Sequence, residues 1–377
     1  MWYRPENEAS IATPCLLLFP ERIEENIRRM IAIAGSAERL RTHVKTHKLS
    51  ELVKLQLQHG IEKFKCATLS EVAMTAGAGG RDILLAYPLL GLSLVLLAVI
   101  QFTDLGLSAG GSVRWMQLGS FSFQPSEFAR IALVIYLAYS MEKKADQIKQ
   151  FSIGFLPHVL VLGVFVTLIF IQPDFGTVFI FGALTWIMLF IGGVRFSQLF
   201  ATMLVILPVA YVFLINAEYR AKRILGFLNP WEHSSDEGYQ IVHSLMAFGT
   251  GGLWGTGIGK GYQKLFYLPE PHTDFIFSVI GEELGLLGVV IIIGLYAWIV
   301  IRGIAIARSA PDLFGAYLAV GLTIAMGLQI VVNMGVALGL LPTKGLTLPL
   351  LSYGGTSLLL NMASIGILMN IRAAQRH

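Results

Sequence analysis

Between residues 155 and 216 the chain runs through three apolar stretches, 155–172, 175–194 and 197–216, whose only formal charges are Asp174 and Arg195. Each is close to the roughly 20 residues that a helix needs to cross ~30 Å of hydrocarbon. Backbone polar groups in lipid must be satisfied within their own element, so runs of this length and hydrophobicity read as helices. Five more stretches share the character: 84–102, 124–141, 275–301, 313–337 and 355–371. The expected fold is therefore a mainly α-helical polytopic membrane protein with eight transmembrane helices. Composition agrees, because 55% of the 377 residues are hydrophobic and only 14% are charged, a balance unlike that of a soluble enzyme. The formal net charge of +4 is too small and too scattered for a nucleic-acid surface.

Orientation follows from the short loops. Lys143, Lys144, Lys149, Arg195, Arg302, Arg308, Arg372 and Arg376 fall on one side if the spans alternate, and the positive-inside rule makes that side cytoplasmic. Both chain termini are then cytoplasmic. Residues 103–123, the turn at Gln172–Asp174, and residues 217–274 and 338–354 lie outside. No cleavable signal peptide is expected, since the first residues are polar. Cys15 and Cys66 both precede the spans, so no disulfide framework supports the membrane part.

Charges within or beside the spans are the informative residues, because burying them is costly. Glu127 and Arg130 stand three residues apart in "FQPSEFARIAL", a spacing that allows an ion pair on one helix face. It is read either as a packing pair or as the wall of a water-filled cavity. Asp174 in "QPDFGT" suits a helix cap. The strongest local signal is "YLPEPHTDFIFSVIGEELG", residues 267–285. There two prolines delay the helix, His272 and Asp274 meet the outer end of a span, and Glu282 and Glu283 follow two turns in. His272 and Asp274 alone are too few ligands for a metal site. Arg114 and Trp115 in "GGSVRWMQLG", with Lys344 and Ser352 in "LPTKGLTLPLLSYGGTS", recur on the same expected face. A carboxylate ringed by cationic and aromatic groups at the bilayer surface suits a lipid-linked anionic substrate. "GTGGLWGTGIGKG", residues 249–261, is not a Walker loop: Trp254 stands where a glycine is needed and Gly261 where Ser or Thr is needed. It reads as a flexible loop or a re-entrant segment.

From about residue 90 to 372 the chain resembles the SEDS polymerases, the shape, elongation, division and sporulation family, and most of all their cell-division branch. "RWMQLGSFSFQPSEFAR", "IQPDFGT", "RILGFLNPW", "GYQIVHSLMAFGTGGLWGTGIGKGYQKLFYLPEPHTDFIFSVIGEELG" and "LPTKGLTLPLLSYGGTS" carry the resemblance in family order. It implies a peptidoglycan glycosyltransferase that polymerises lipid II into glycan strands outside the cytoplasmic membrane of a bacterium, at the division site. Asp274 would be the catalytic carboxylate, taking the proton of the acceptor hydroxyl. Arg114, Lys344 or a divalent cation would offset the lipid diphosphate, and Glu127 and Arg130 would line the central cavity. Arg114, Trp115, Glu127, Arg130, Asp174, His272, Lys344 and Ser352 are the expected substrate-binding residues. Expected partners are a class B penicillin-binding protein, other divisome proteins and membrane lipid. The family has ten spans, so the resemblance implies that the first two are missing here.

Residues 1–88 alternate strand and helix: "CLLLF", "PERIEENIRRMIAIAG", "LRTHVK", "SELVKLQLQHG", "KFKCAT", "LSEVAMTAGAGG" and "DILLAYP". That order is a parallel α/β half-barrel cut short. "TPCLLLFPERIEENI", "RTHVKTHK" and "CATLSEVAMTAGAGGRDILLAYPL" resemble the front of D-threonine aldolase-like enzymes of the alanine-racemase-type barrel. That resemblance casts Lys45 as a vestigial Schiff-base lysine for pyridoxal phosphate. The downstream phosphate cradle is absent, so no cofactor is expected to bind. The expected domains are a cytoplasmic βα fragment over 1–88 and a transmembrane polymerase domain over 89–377. Alternatives to a polymerase are an inactive chimera of two families, a lipid II flippase, and a membrane-tethered pyridoxal-phosphate enzyme.

Overall fold

The computed structural model describes residues 18–103, 105–109, 112–118, 121–215 and 218–373, and the chain divides into two units, Met1–Pro88 and Leu89–His377. In the first unit, helix α1 (Pro20–Ala34) opens with Pro20 in the first turn and closes on Gly35, whose φ of 84° gives the left-handed cap that favours glycine. Strands β1 (Arg41–His43), β2 (Lys63–Lys65) and β3 (Asp82–Leu84) form a parallel sheet in the order β1-β2-β3. Helices α2 (Ser50–Gln58) and α3 (Leu69–Gly77) make the crossovers. Val44, Val53, Phe64 and Cys66 are the buried core of this unit. Arg41 reaches past β2 to Asp82, pairing at 2.7 Å. Several boundaries differ from the sequence reading: "LRTHVK" is a strand only over Arg41–His43, with a helical turn over Val44–Thr46, and "KFKCAT" only over Lys63–Lys65. Most of "CLLLF" lies outside the described residues, and its last two, Leu18 and Phe19, are not in a strand. The strand expected through Tyr87 stops at Leu84, because helix α4 (Ala86–Phe102) takes up the apolar residues that follow.

In the second unit α4 leads into an antiparallel sheet of β4 (Gly106–Ala109), β5 (Ser112–Leu118) and β6 (Phe121–Phe123). The sequence places residues 103–123 outside the membrane without marking strands there. Alternation in "SVRWMQL" permits a strand, and each neighbour supplies the backbone partner. The helices then run as α5 (Pro125–Lys143), α6 (Leu156–Ile171), α7 (Phe175–Ile191), α8 (Phe196–Ile215), α9 (Glu218–Leu228), α10 (Tyr239–Gly251), α11 (Gln263–Phe266), α12 (Ile276–Arg308), α13 (Leu313–Ala337) and α14 (Gly355–Ala373). Residues 217–274, expected as a long loop, thus carry three helices among the described residues. Four helices are long and apolar enough to cross a membrane, Phe151–Ile171, Ile276–Arg308, Leu313–Ala337 and Gly355–Ala373, and shorter apolar helices accompany them. Helix α13 packs against α5, α7 and α12. Phe275, Phe277, Met326, Ile330, Leu346 and Leu348 share one buried cluster, which clamps the start of α12 and the loop after α13 to the same helix.

Helix α12 is not continuous. Gly285 has φ 64° and ψ −163°, a backbone state essentially confined to glycine. Glu282 and Glu283 were expected inside a span, yet they lie in the short segment before this break. Glu282 is fully buried and accepts the backbone N–H groups of Tyr262 at 2.8 Å and Gln263 at 3.2 Å. Glu283 accepts the N–H of Gly259 and pairs with Lys264. Both carboxylates therefore hold the 252–264 loop. A buried charge is tolerated when it is paired and hydrogen-bonded in this way.

Candidate active site

The turn "PEPHTDF" is shaped by its own backbone. Glu270 sits at φ 51° between two prolines, and its carbonyl accepts the N–H groups of Thr273, Asp274 and Phe275 at 3.2–3.3 Å. Past Pro271, three consecutive carbonyls are each fixed from outside the turn. His272 O accepts the N–H of Tyr353 at 2.8 Å, Thr273 O accepts the Ser352 hydroxyl, and Asp274 O accepts the Asn333 amide at 2.8 Å. Asn333 also donates to Leu346 O at 2.6 Å. Asp274 is thus held on a backbone with little freedom, a requirement for a positioned catalytic group.

The carboxyl of Asp274 is partly buried. A Cβ on Gly345 would stand 2.9 Å from its Oδ2, so the absence of a side chain at 345 lets the two segments meet. Burial raises the Asp274 carboxyl to about 7, the charge of Glu270 adds to the effect, and Arg114 opposes it. Arg114, on β5, donates to Pro173 O at 3.1 Å and stands 3.7 Å from Asp174. Asp174 caps α7, accepting the Thr177 N–H at 3.2 Å and the Thr177 hydroxyl at 2.7 Å. The Lys344 ammonium lies 5.3 Å from the centre of the Phe175 ring. Burial lowers Lys344 to about 8; Asp174 opposes that shift, whereas Arg223 and Arg114 add to it. A carboxyl able to take a proton near neutral pH and two cations therefore share one end of the helices.

A second group lies inside the bundle. Glu127 and Arg130 pair at 2.7 Å, both buried. Arg130 donates to Gln329 Oε1 at 2.8 Å, and Gln329 Nε2 donates to the Thr347 hydroxyl at 3.0 Å. Thr347 shares a hydrogen bond of 2.8 Å with Ser357. The pair is thus wired to the loop that carries Lys344 and Gly345.

Of the residues singled out in the sequence, Arg114, Asp174, Lys344 and Asp274 are brought together, while Glu127 and Arg130 reach them through Gln329 and Thr347. Trp115 is partly buried on β5, opposite Leu107. The Ser352 hydroxyl is buried, donating to Thr273 O and accepting the Leu348 N–H, so it holds the loop. The His272 side chain is exposed and its carbonyl does the holding. Asn333, Gln329 and Thr347 escaped the sequence reading, although a buried amide in an apolar run was itself a signal. Among the described residues no three His, Cys, Asp or Glu side chains gather as metal ligands. Lys45, in the first unit, is exposed on a turn after β1, its N–H donating to His43 Nδ1 at 3.2 Å. A Schiff base there would stand open to water, so the residues present do not fit pyridoxal phosphate.

A family model described as a cell cycle protein, FTSW_RODA_SPOVE, matches residues 82–377. The "Probable peptidoglycan glycosyltransferase FtsW" of Geobacter sulfurreducens is 48% identical over 286 residues, 76% of this chain and 77% of that protein. The protein of the same description from Coxiella burnetii is 43% identical over 281 residues, 74% and 75% of the two chains. Among solved structures, one chain of a peptidoglycan synthase complex, studied for the structural coordination of polymerization and crosslinking, aligns with a TM-score of 0.65. It is 26% identical and covers 96% of this chain and 99% of that one. The rod shape determining protein RodA of Thermus thermophilus aligns with a TM-score of 0.56 at 28% identity, over 95% of each chain.

Proposed function

The chain belongs to the FtsW, RodA and SpoVE family of cell cycle proteins, and from that premise we propose that it polymerises lipid II with Asp274 as the general base. It is a peptidoglycan glycosyltransferase of the FtsW kind and a multi-pass protein of the inner membrane. The observation that carries the site assignment is the Asp274 carboxyl, raised to about 7 on a backbone fixed at three consecutive carbonyls. The acceptor sugar's hydroxyl attacks the anomeric carbon of the donor. Its proton passes to Asp274, the new glycosidic C–O bond forms, and the bond to the lipid diphosphate breaks. A base near neutral pKa suits this transfer at physiological pH better than an ordinary aspartate. Arg114 and Lys344 supply the positive charge that the departing diphosphate needs. A divalent cation at the diphosphate would be held chiefly by the substrate.

The same reading places eight spans in the membrane with both termini in the cytoplasm and the Asp274 end outside, at the division site. Residues 89–377 are then the polymerase domain. Residues 1–88 are the front of a parallel barrel, a reading supported by the β1-β2-β3 order. The partner proposed is a class B penicillin-binding protein with other divisome proteins, because the aligned chain comes from a synthase complex that couples polymerization to crosslinking. The test is lipid II polymerisation by the purified chain in nanodiscs, with the partner added, beside Asp274→Ala. Glycan strands from the parent and none from the variant are expected; equal product from both would overturn the assignment of Asp274.

A further inference from the structure

The break at Gly285 frees four backbone groups: the carbonyls of Glu282 and Glu283 and the N–H groups of Leu286 and Leu287 lose the partners that a regular helix would give them. All four are taken up by one loop. Thr256 N–H donates to Glu282 O and Gly257 N–H to Glu283 O, each at 3.0 Å; Leu286 N–H donates to Gly252 O at 2.9 Å and Leu287 N–H to Leu253 O at 3.3 Å. The loop thus replaces two rungs of the helix. Its side chains behave in the opposite way: Leu253 is 63% exposed, Trp254 80%, Ile258 81% and Tyr262 67%.

The bonds to Glu282, Glu283, Leu286 and Leu287 fix the loop's backbone against α12 while its apolar side chains face outward, an arrangement suited to the bilayer surface, where water and headgroups reach the remaining backbone groups. In water such side chains would form a costly exposed patch. The patch also continues the exposed apolar face of α12, where Leu286, Leu287, Val290 and Ile291 follow in a helix long and apolar enough to cross a membrane. Trp254 and the exposed Lys260 are the residue types that mark a membrane–water boundary.

The geometry points to residues 253–262 as a rigid hook resting on the bilayer surface, with the Leu253 and Ile258 side chains reaching down to the acyl boundary and Trp254 at the headgroup level. The segment between the break and Asp274 is short, so the hook fixes the height of the Asp274 carboxylate against a lipid-linked substrate. This second statement rests on the polymerase reading; the position of the hook does not.

The test uses the full chain in phosphatidylethanolamine–phosphatidylglycerol nanodiscs, with Ile258→Cys labelled by an environment-sensitive fluorophore after Cys15→Ser and Cys66→Ser. A blue-shifted emission, quenched several-fold more by acyl-chain nitroxide lipids than by aqueous iodide, is expected. Leu253→Cys, read in the same way, guards against a local effect of the first label. Equal access to iodide with no quenching from lipid overturns the proposal. So does burial that depends on an added partner protein, or on a second copy and is lost on dilution. In the polymerisation assay, Ile258→Asp is expected to raise KM for lipid II several-fold at unchanged kcat. A lowered kcat at unchanged KM overturns the height-setting role and leaves the quenching result to stand alone. Failure of the Asp274→Ala test would likewise leave the quenching result intact.

Discussion

The side-chain amide of Asn333, from α13, donates to the main-chain carbonyl of Asp274 at 2.8 Å. The same amide holds Leu346 O at 2.6 Å, so one buried residue ties the catalytic turn to the loop that brings Lys344 and Gly345. Asn333→Leu fills similar space but leaves both carbonyls unpaired, a loss of about 1–3 kcal/mol. The expected outcome is a lower thermal midpoint and a fall in kcat with KM for lipid II nearly unchanged. Steady-state polymerisation with a melting curve reads both; a normal kcat in a destabilised variant would reduce Asn333 to a packing residue.

The two shifted groups at the site predict a bell-shaped pH profile. A general base works ionised, so activity should rise by roughly tenfold per pH unit until the Asp274 carboxyl titrates at about 7. Lys344 works charged, and activity should fall again as it loses its proton near 8. The acidic limb can be moved in either direction. Glu270 raises the Asp274 carboxyl and Arg114 lowers it, so Glu270→Gln should shift that limb to lower pH and Arg114→Gln to higher pH. Initial rates from pH 5.5 to 9 on the three proteins test this, and a shift of the same sign in both variants would contradict the arrangement.

Glu127 and Arg130 offer a test of how a buried pair behaves. Arg130→Met leaves the Glu127 carboxylate without its partner and Gln329 Oε1 without its donor. Removing one partner of a buried ion pair costs about 3–5 kcal/mol. Glu127→Leu combined with Arg130→Met removes both charges and should recover much of that loss, leaving mainly the unpaired amide. A double-mutant cycle measured by denaturation in detergent isolates the coupling. If the double variant were no more stable than Arg130→Met alone, the pair would not be what stabilises this part of the bundle.

Where the fold followed from local pattern, the sequence was legible. The apolar stretch 313–337 coincides with α13 (Leu313–Ala337), and 355–371 falls inside α14. The Glu127–Arg130 spacing foretold an ion pair that the structure contains. The misses depend on distant chain. β4–β6 exist because three short segments supply one another's backbone partners. The Glu282 and Glu283 carboxylates look like charges inside a span until the N–H groups of Gly259, Tyr262 and Gln263 are seen to bind them. The Ser352 hydroxyl likewise finds its acceptor in a carbonyl 79 residues away in sequence, which its own motif does not reveal.

Gly285 is the sharpest case, because "EELGLLG" gives no local reason for a helix to break. With φ 64° and ψ −163°, any side chain there is strained by about 1–3 kcal/mol. The space is also closed, since an added Cβ would stand 2.4 Å from Gly255 N. Gly285→Ala must therefore either displace the 252–257 loop or restore a straight helix. Either way, the bonds from Thr256, Gly257, Gly252 and Leu253 are lost together. The expected outcome is faster proteolysis within residues 252–264, a lower melting midpoint, and transfer of a fluorophore at position 258 from lipid to water. An Ala variant with unchanged protease resistance and an unchanged label environment would mean that the loop keeps its place without a glycine at 285. The coupling between the hook and the Asp274 turn would then have to run through Glu282 and Glu283 alone.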